Sequence, residues 1–161
     1  MGAKRTAAGA AADQVAALGL AAAAPASSAP SNPTGTSSTS LKMMGLAVAI
    51  TPQNPSPQVL VIITGVAATA TAAQAVTVGG RYGTGTAPAN AAAVTGTRFG
   101  ALADPVIGPG AAAAAGVPFT LAGVLQLAQG VAYWVDLAVA TGNASDAASV
   151  TAIGVTIAEL P

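Results

Sequence analysis

Histidine and cysteine are both absent from this 161-residue chain. Without histidine there is no imidazole base, and no Ser-His-Asp or Cys-His nucleophile can form. Without cysteine there is no disulfide, thiolate zinc site or iron–sulfur cluster. Charge is almost as scarce. Charged residues make up 6% of the chain, where an ordinary soluble domain carries roughly a quarter. Five basic residues balance five acidic ones, which leaves no electrostatic footprint for nucleic acid. Aromatics amount to 3%, so the 53% hydrophobic content rests mainly on Ala and Val. No apolar run reaches the ~20 residues that a transmembrane helix needs; Val15 to Ala24 is the longest near the N-terminus.

The scarcity of charge bears on assembly. Proteins usually stay dispersed through interspersed charges and a net charge away from zero. A chain this neutral exposes broad areas of Ala, Thr, Ser and Gly. Such a surface suits contact with other protein, so an oligomer or a subunit of a larger assembly is expected.

Composition changes near residue 40. Thirteen of the 24 residues from 7 to 30 are Ala, and seven of the ten from 31 to 40 are Ser or Thr. Such segments bury too little apolar surface to offset their chain entropy alone. Lys4, Arg5, the Ala-rich stretch and Ala24-Pro25-Ala26 imitate a signal peptide, but Asp13 and Gln14 interrupt its apolar part. Residues 1–40 are therefore expected to form a retained, extended arm and linker, ordered by a partner surface. A short Ala-rich helix within residues 6–24 is compatible with this. Residues 41–161 are expected to form one β-sandwich domain.

Period-two alternation carries that expectation. Met44, Leu46, Val48 and Ile50 alternate along one strand. Val59, Val61 and Ile63 alternate next, and Leu60 and Ile62 opposite them suggest burial on both faces. Val76, Val78 and Tyr82 form a third strand, where Gly79-Gly80 marks a bulge or a close-packing site. A weaker strand runs from Val94 to Leu102. Val117, Phe119 and Leu121 make a short strand before Val124 to Leu127. Val131, Tyr133, Val135, Leu137 and Val139 alternate against Trp134, Asp136 and Ala138. Ile153, Val155 and Ile157 share a face of the last strand. Turn-forming Gly, Pro, Asn and Ser separate these stretches. Seven or eight short strands without a clear interior helix indicate an all-β antiparallel sandwich, with a jelly roll as the favoured topology.

No constellation of catalytic residues stands out. Asp104, Asp136, Asp146 and Glu159 fall on different elements, so a glycosidase- or protease-type pair is not expected. These acids are read as exposed or turn-capping, and a hard-cation site from Asp104, Asp146 and carbonyls near Asn143 has no loop spacing behind it. Arg81-Tyr82-Gly83-Thr84-Gly85-Thr86 superficially matches a phosphate loop, but it lacks the Lys-Ser/Thr ending and Pro88 precludes the following helix. Asn143-Ala144-Ser145 matches the short glycosylation acceptor pattern. Tyr133 and Trp134 are adjacent in a strand, so they face opposite sides. One is expected in the core, the other against a loop or a neighbouring subunit. Lys4, Arg5 and Lys42 against Asp13 make the first 45 residues net positive, which would suit docking on an acidic protein surface.

Residues 81–90, with Thr95-Gly96-Thr97, resemble a segment of small phage and prophage virion structural proteins. Val117-Pro118-Phe119-Thr120-Leu121 and Val131 to Ala138 are similar to later strands of the same group. The resemblance spans residues 41–160. It implies a sandwich or jelly-roll subunit on the virion surface, as a head decoration (cement) protein or the base of a head fibre, often trimeric. It implies no catalytic residue, cofactor or metal.

The expectation is thus a non-enzymatic virion protein, made in the host bacterial cytoplasm and bound to the outer head surface. Its partners would be the major capsid protein and neighbouring copies in a homotrimer, with no nucleic acid and no membrane. Lys4, Arg5, Lys42, Arg81, Tyr82 and Trp134 are the expected contact residues. A fibre head or spike that binds a receptor or glycan through residues 83–90 or 142–146 is the alternative. A secreted bacterial surface module with a cleaved leader is a third reading.

Overall fold

A computed structural model of the chain describes residues 26–55, 57–71, 74–101, 103–108 and 115–160. Most of the expected arm, including Lys4 and Arg5, lies outside the described residues. Ten strands and no helix are found among the described residues: β1 (Ala26–Ser28), β2 (Lys42–Met43), β3 (Val48–Ile50), β4 (Gln58–Thr69), β5 (Val76–Thr84), β6 (Thr97–Phe99), β7 (Val106–Ile107), β8 (Val117–Gln126), β9 (Tyr133–Thr141) and β10 (Ala148–Leu160).

The strands form two antiparallel sheets, as the alternation predicts. The first has the order β1-β10-β4-β8. The second has β2-β9-β5-β6, with β3 also on β9 and β7 also on β5. The pairing is nested. β4 pairs with β10 in one sheet and β5 with β9 in the other, so the chain crosses between sheets from β4 to β5 and back from β9 to β10. A long hairpin rolled across two sheets is the central element of a jelly roll.

One face of each sheet supplies the core. Val59, Val61 and Ile63 of β4 meet Val76 and Val78 of β5, Val135, Leu137 and Val139 of β9, and Val150, Val155 and Ile157 of β10. Burying each such side chain contributes about 1.5–3 kcal/mol. Phe119, Leu121 and Leu125 of β8 close one side, with Phe99 of β6. The expected burial of β4 on both faces does not occur: Leu60 and Ile62 point away from the core and are only half-buried.

Several expected strands change in extent. The single strand read over residues 41–50 is broken into β2 and β3, because Gly45 (φ 70°) and Ala47 (φ 52°) adopt left-handed backbone between them. Gly79-Gly80 is not a bulge, since β5 and β9 pair in unbroken register from 76 to 84. It is a close-packing site: a Cβ on Gly80 would lie 2.5 Å from the Phe99 ring. The two stretches at 117–127 fuse into β8. The bulge lies instead in β10, between Thr151 and Gly154. The last part of the expected arm also differs. β1 runs antiparallel beside β10 and Thr36 bridges Ala148, so this chain's own sheet orders residues that were expected to need a partner.

Candidate functional site

The two sheets treat their outer faces differently. On the second sheet, Trp134, Asp136, Ala138 and Ala140 of β9 point outward, yet all are buried. Residues 84–96 of the same chain lie over this face, and residues 41–46 run beside β9 in the sheet. Met43 and Trp134 pack with Ala138 beneath Leu41, Ala87 and Ala92. Backbone bonds tie the cover together, with the Met43 N–H donating to the Ala92 carbonyl at 3.0 Å and the Ala91 N–H to the Met43 carbonyl at 2.9 Å.

Asp136 pins the chain between β2 and β3 to the edge of β9. Its Oδ2 accepts from the Gly45 N–H at 3.0 Å, and its Oδ1 from the N–H groups of Leu46 at 2.9 Å and Leu137 at 2.7 Å. The carboxylate thus satisfies donors that the break between β2 and β3 leaves without ladder partners. Burial pushes the Asp136 carboxyl above its ordinary range, while the three N–H donors pull it down and offset this only in part. Its role is structural: it pins a backbone break with an acceptor.

Arg81 points outward from β5 and is only 6% exposed. Its guanidinium grips Asp104 with two bonds, Nη1 to Oδ1 at 2.8 Å and Nη2 to Oδ2 at 2.6 Å. The fork geometry suits a planar carboxylate. Arg98, register partner of Arg81 on β6, approaches the same Asp104 Oδ2 at 3.9 Å. The hydrogen bond from Arg81 holds the Asp104 carboxyl below its ordinary range; desolvation opposes this, and the charges of Arg81 and Arg98 reinforce it. Two cations set opposite each other would repel, and the shared carboxylate converts them into a clasp over Gly79. A Cβ on Gly79 would collide with that carboxylate, so the glycine makes room for the clasp.

Among the expected contact residues, Lys42 lies half-buried on β2, which pairs with β9. Tyr82 is half-buried, its ring centroid 6.4 Å from that of Phe99 and 6.3 Å from that of Tyr133. Arg81 and Trp134 are buried within this chain. The first is engaged by Asp104. The second lies under residues 84–96, where its Nε1 donates to the Thr84 carbonyl at 3.2 Å. Tyr133 and Trp134 take opposite faces of β9, and Trp134 is the one that lies against a loop of this chain.

The acids are dispersed. Asp146 sits in the β9–β10 turn, where its Oδ1 accepts from Thr71 and Ala147. Glu159 accepts from the backbone of Gln53 and Asn54. Asp104 is held by Arg81 over β5, so it does not join Asp146 in the imagined cation site. Among the described residues no group of three or more acidic, His or Cys side chains could hold a metal ion, and no helix is long and apolar enough to cross a membrane. Arg98, the pairing of Asp104 with Arg81 and the clamp by Asp136 were not read from the sequence. The one available signal was an aspartate centred in the apolar run Tyr133 to Ala140.

Among the described residues, none roofs the outer face of the first sheet. Its rows are set by register: Val124–Leu60–Ala158, Ala122–Ile62–Thr156 and Thr120–Thr64–Gly154 across β8, β4 and β10. Val124 is 51% exposed, Ala122 and Thr120 are exposed, and Leu60 and Ile62 are half-buried. None of the outward-facing residues of these strands is charged. This broad neutral face, and not a pocket, is the candidate functional surface. No protein-family model matches the chain, and a search of curated proteins finds no relative.

Proposed function

We propose that this chain is a non-enzymatic virion structural protein that decorates the outer surface of a phage head. The observation that carries the reading is the uncharged outer face formed by β4, β8 and β10. A face with exposed Val124 and Ala122 and no charge fits continuous contact with other protein better than contact with solvent. Three charged side chains of the sandwich support the same reading, because Arg81, Asp104 and Asp136 are spent on its internal architecture. The resemblance of residues 81–90 and 131–138 to phage structural proteins supplies the virion context.

In this reading the sandwich is the body, and residues 1–25, with Lys4 and Arg5, supply the anchor to the major capsid protein. Many copies on a symmetric shell would turn weak individual contacts into firm attachment. Deletion of residues 1–25 tests this, since it leaves β1 and the Thr36 bridge in place. The truncated protein is expected to keep its thermal unfolding transition and to lose binding to undecorated heads in a sedimentation assay. Full decoration by the truncated protein would refute the anchoring role.

A further inference from the structure

We infer that the outer face of the β1-β10-β4-β8 sheet is covered by the same face of a second copy of this chain, giving a two-fold dimer. The inference deepens the reading above, because it names the partner on the neutral surface which that reading treats as a contact face.

Charge favours this occupant. A face without charged residues meets its own copy with no like-charge repulsion, whatever the rotation about the two-fold axis. A partner of another kind would ordinarily be selected by complementary charge, and this face offers none. Shape points the same way. Two sheets stack face to face about 10 Å apart, as they do inside a sandwich. Extent is sufficient as well. Strands about 4.8 Å apart, each with about ten residues at ~3.3 Å, give a face of roughly 500 Å². Two such faces bury on the order of 1,000 Å², where specific interfaces begin.

The edges do not compete for this role. β1 covers part of the β10 edge. At the other edge the Gly100 backbone lies against Ala122 and Gly123 of β8, so close that a Cβ on Gly123 would sit 2.9 Å from the Gly100 nitrogen. Lateral strand addition is therefore hindered on both sides, and the open direction is perpendicular to the sheet. A two-fold pairing through one self-complementary patch is also closed, so it does not propagate into a filament.

The test uses the full-length protein alone, by light scattering at tens of micromolar, so it is independent of capsid binding. The wild type is expected at twice the chain mass. Ala122→Glu and Thr156→Glu each place a charge on the middle row of the face. Both should weaken self-association by more than about tenfold while leaving the circular dichroism spectrum unchanged. Val106→Glu, at an exposed position of β7 on the other sheet, should leave the dimer intact. A monomeric wild type overturns the inference, as does a dimer or trimer that resists both substitutions or yields equally to Val106→Glu. A monomeric wild type that still decorates heads would count against this inference alone, and a dimer that disperses in both Glu variants but whose wild type fails to bind heads would count against the attachment reading alone.

Discussion

Asp104 and Asp136 sit on the same side of one sheet and respond oppositely to pH. Asp104 is matched by cations, so its folded-state pKa is lowered from the ordinary 3.8. Its stabilisation is fully present above that value and is lost as pH falls through the lower folded value. Asp136 is matched only by neutral N–H groups and its pKa is raised. Its protonated form is the better accommodated one, so its contribution is present below 3.8 and lost as pH rises through the raised value. Urea denaturation of the wild type and Asp136→Asn should therefore diverge in favour of the wild type on going from about pH 7 to pH 4. Against Asp104→Asn, the wild-type advantage should shrink as the medium turns acid. At neutral pH, Asp104→Ala should cost about 3 kcal/mol, because it leaves the buried Arg81 guanidinium without its counter-ion. The sequence indicated only part of this. An aspartate amid Val135, Leu137 and Val139 is visibly anomalous, but its partners at Gly45 and Leu46 lie 91 and 90 residues away. No local pattern announces them. The opposite facing of Tyr133 and Trp134, by contrast, follows from strand geometry alone.

At the level of elements, alternation located the long strands and failed where backbone conformation interrupts them. Met44, Leu46, Val48 and Ile50 read as one strand because the alternation runs through the break. The break itself depends on left-handed conformations at Gly45 and Ala47, and alanine gives no warning of that. The β10 bulge is similar. Ala152 holds φ at 50° there, a conformation that costs an L-residue about 1–2 kcal/mol. Ala152→Gly should relieve this strain. After the extra unfolded-state entropy of glycine is subtracted, a gain of about 0.5 kcal/mol is expected in chemical denaturation. The cover over the second sheet was invisible as an element, since residues 84–96 form no long strand. Its fit is exacting all the same. Gly96 has φ of 79°, and a Cβ there would lie 2.4 Å from the Trp134 ring. Gly96→Ala should displace the cover and destabilise the protein by about 2 kcal/mol. Trp134 is the single tryptophan, so its fluorescence emission should shift to the red in the same variant.

Across the whole molecule, the asymmetry between the two outer faces is the main feature. One is roofed by residues 84–96, beside a strand break pinned by Asp136. The other is neutral, and among the described residues nothing roofs it. Composition pointed to extensive neutral surface, but it could not say which face carries it, because that depends on strand order, and strand order is not encoded in periodicity. The nested pairing has a further consequence, for the timing of synthesis. β4 lies between β8 and β10 in its sheet, and β10 is the last strand among the described residues. A ribosome adding about 5–20 residues each second takes roughly 5–18 seconds to pass from residue 69 to residue 160. Throughout that interval the apolar edge of β4 has no β10 to pair with, and the sandwich cannot close. Closure of this sandwich is therefore held back until β10 has emerged, so nascent chains crowded on one message stay unpaired, and unable to assemble through it, until each has passed residue 160.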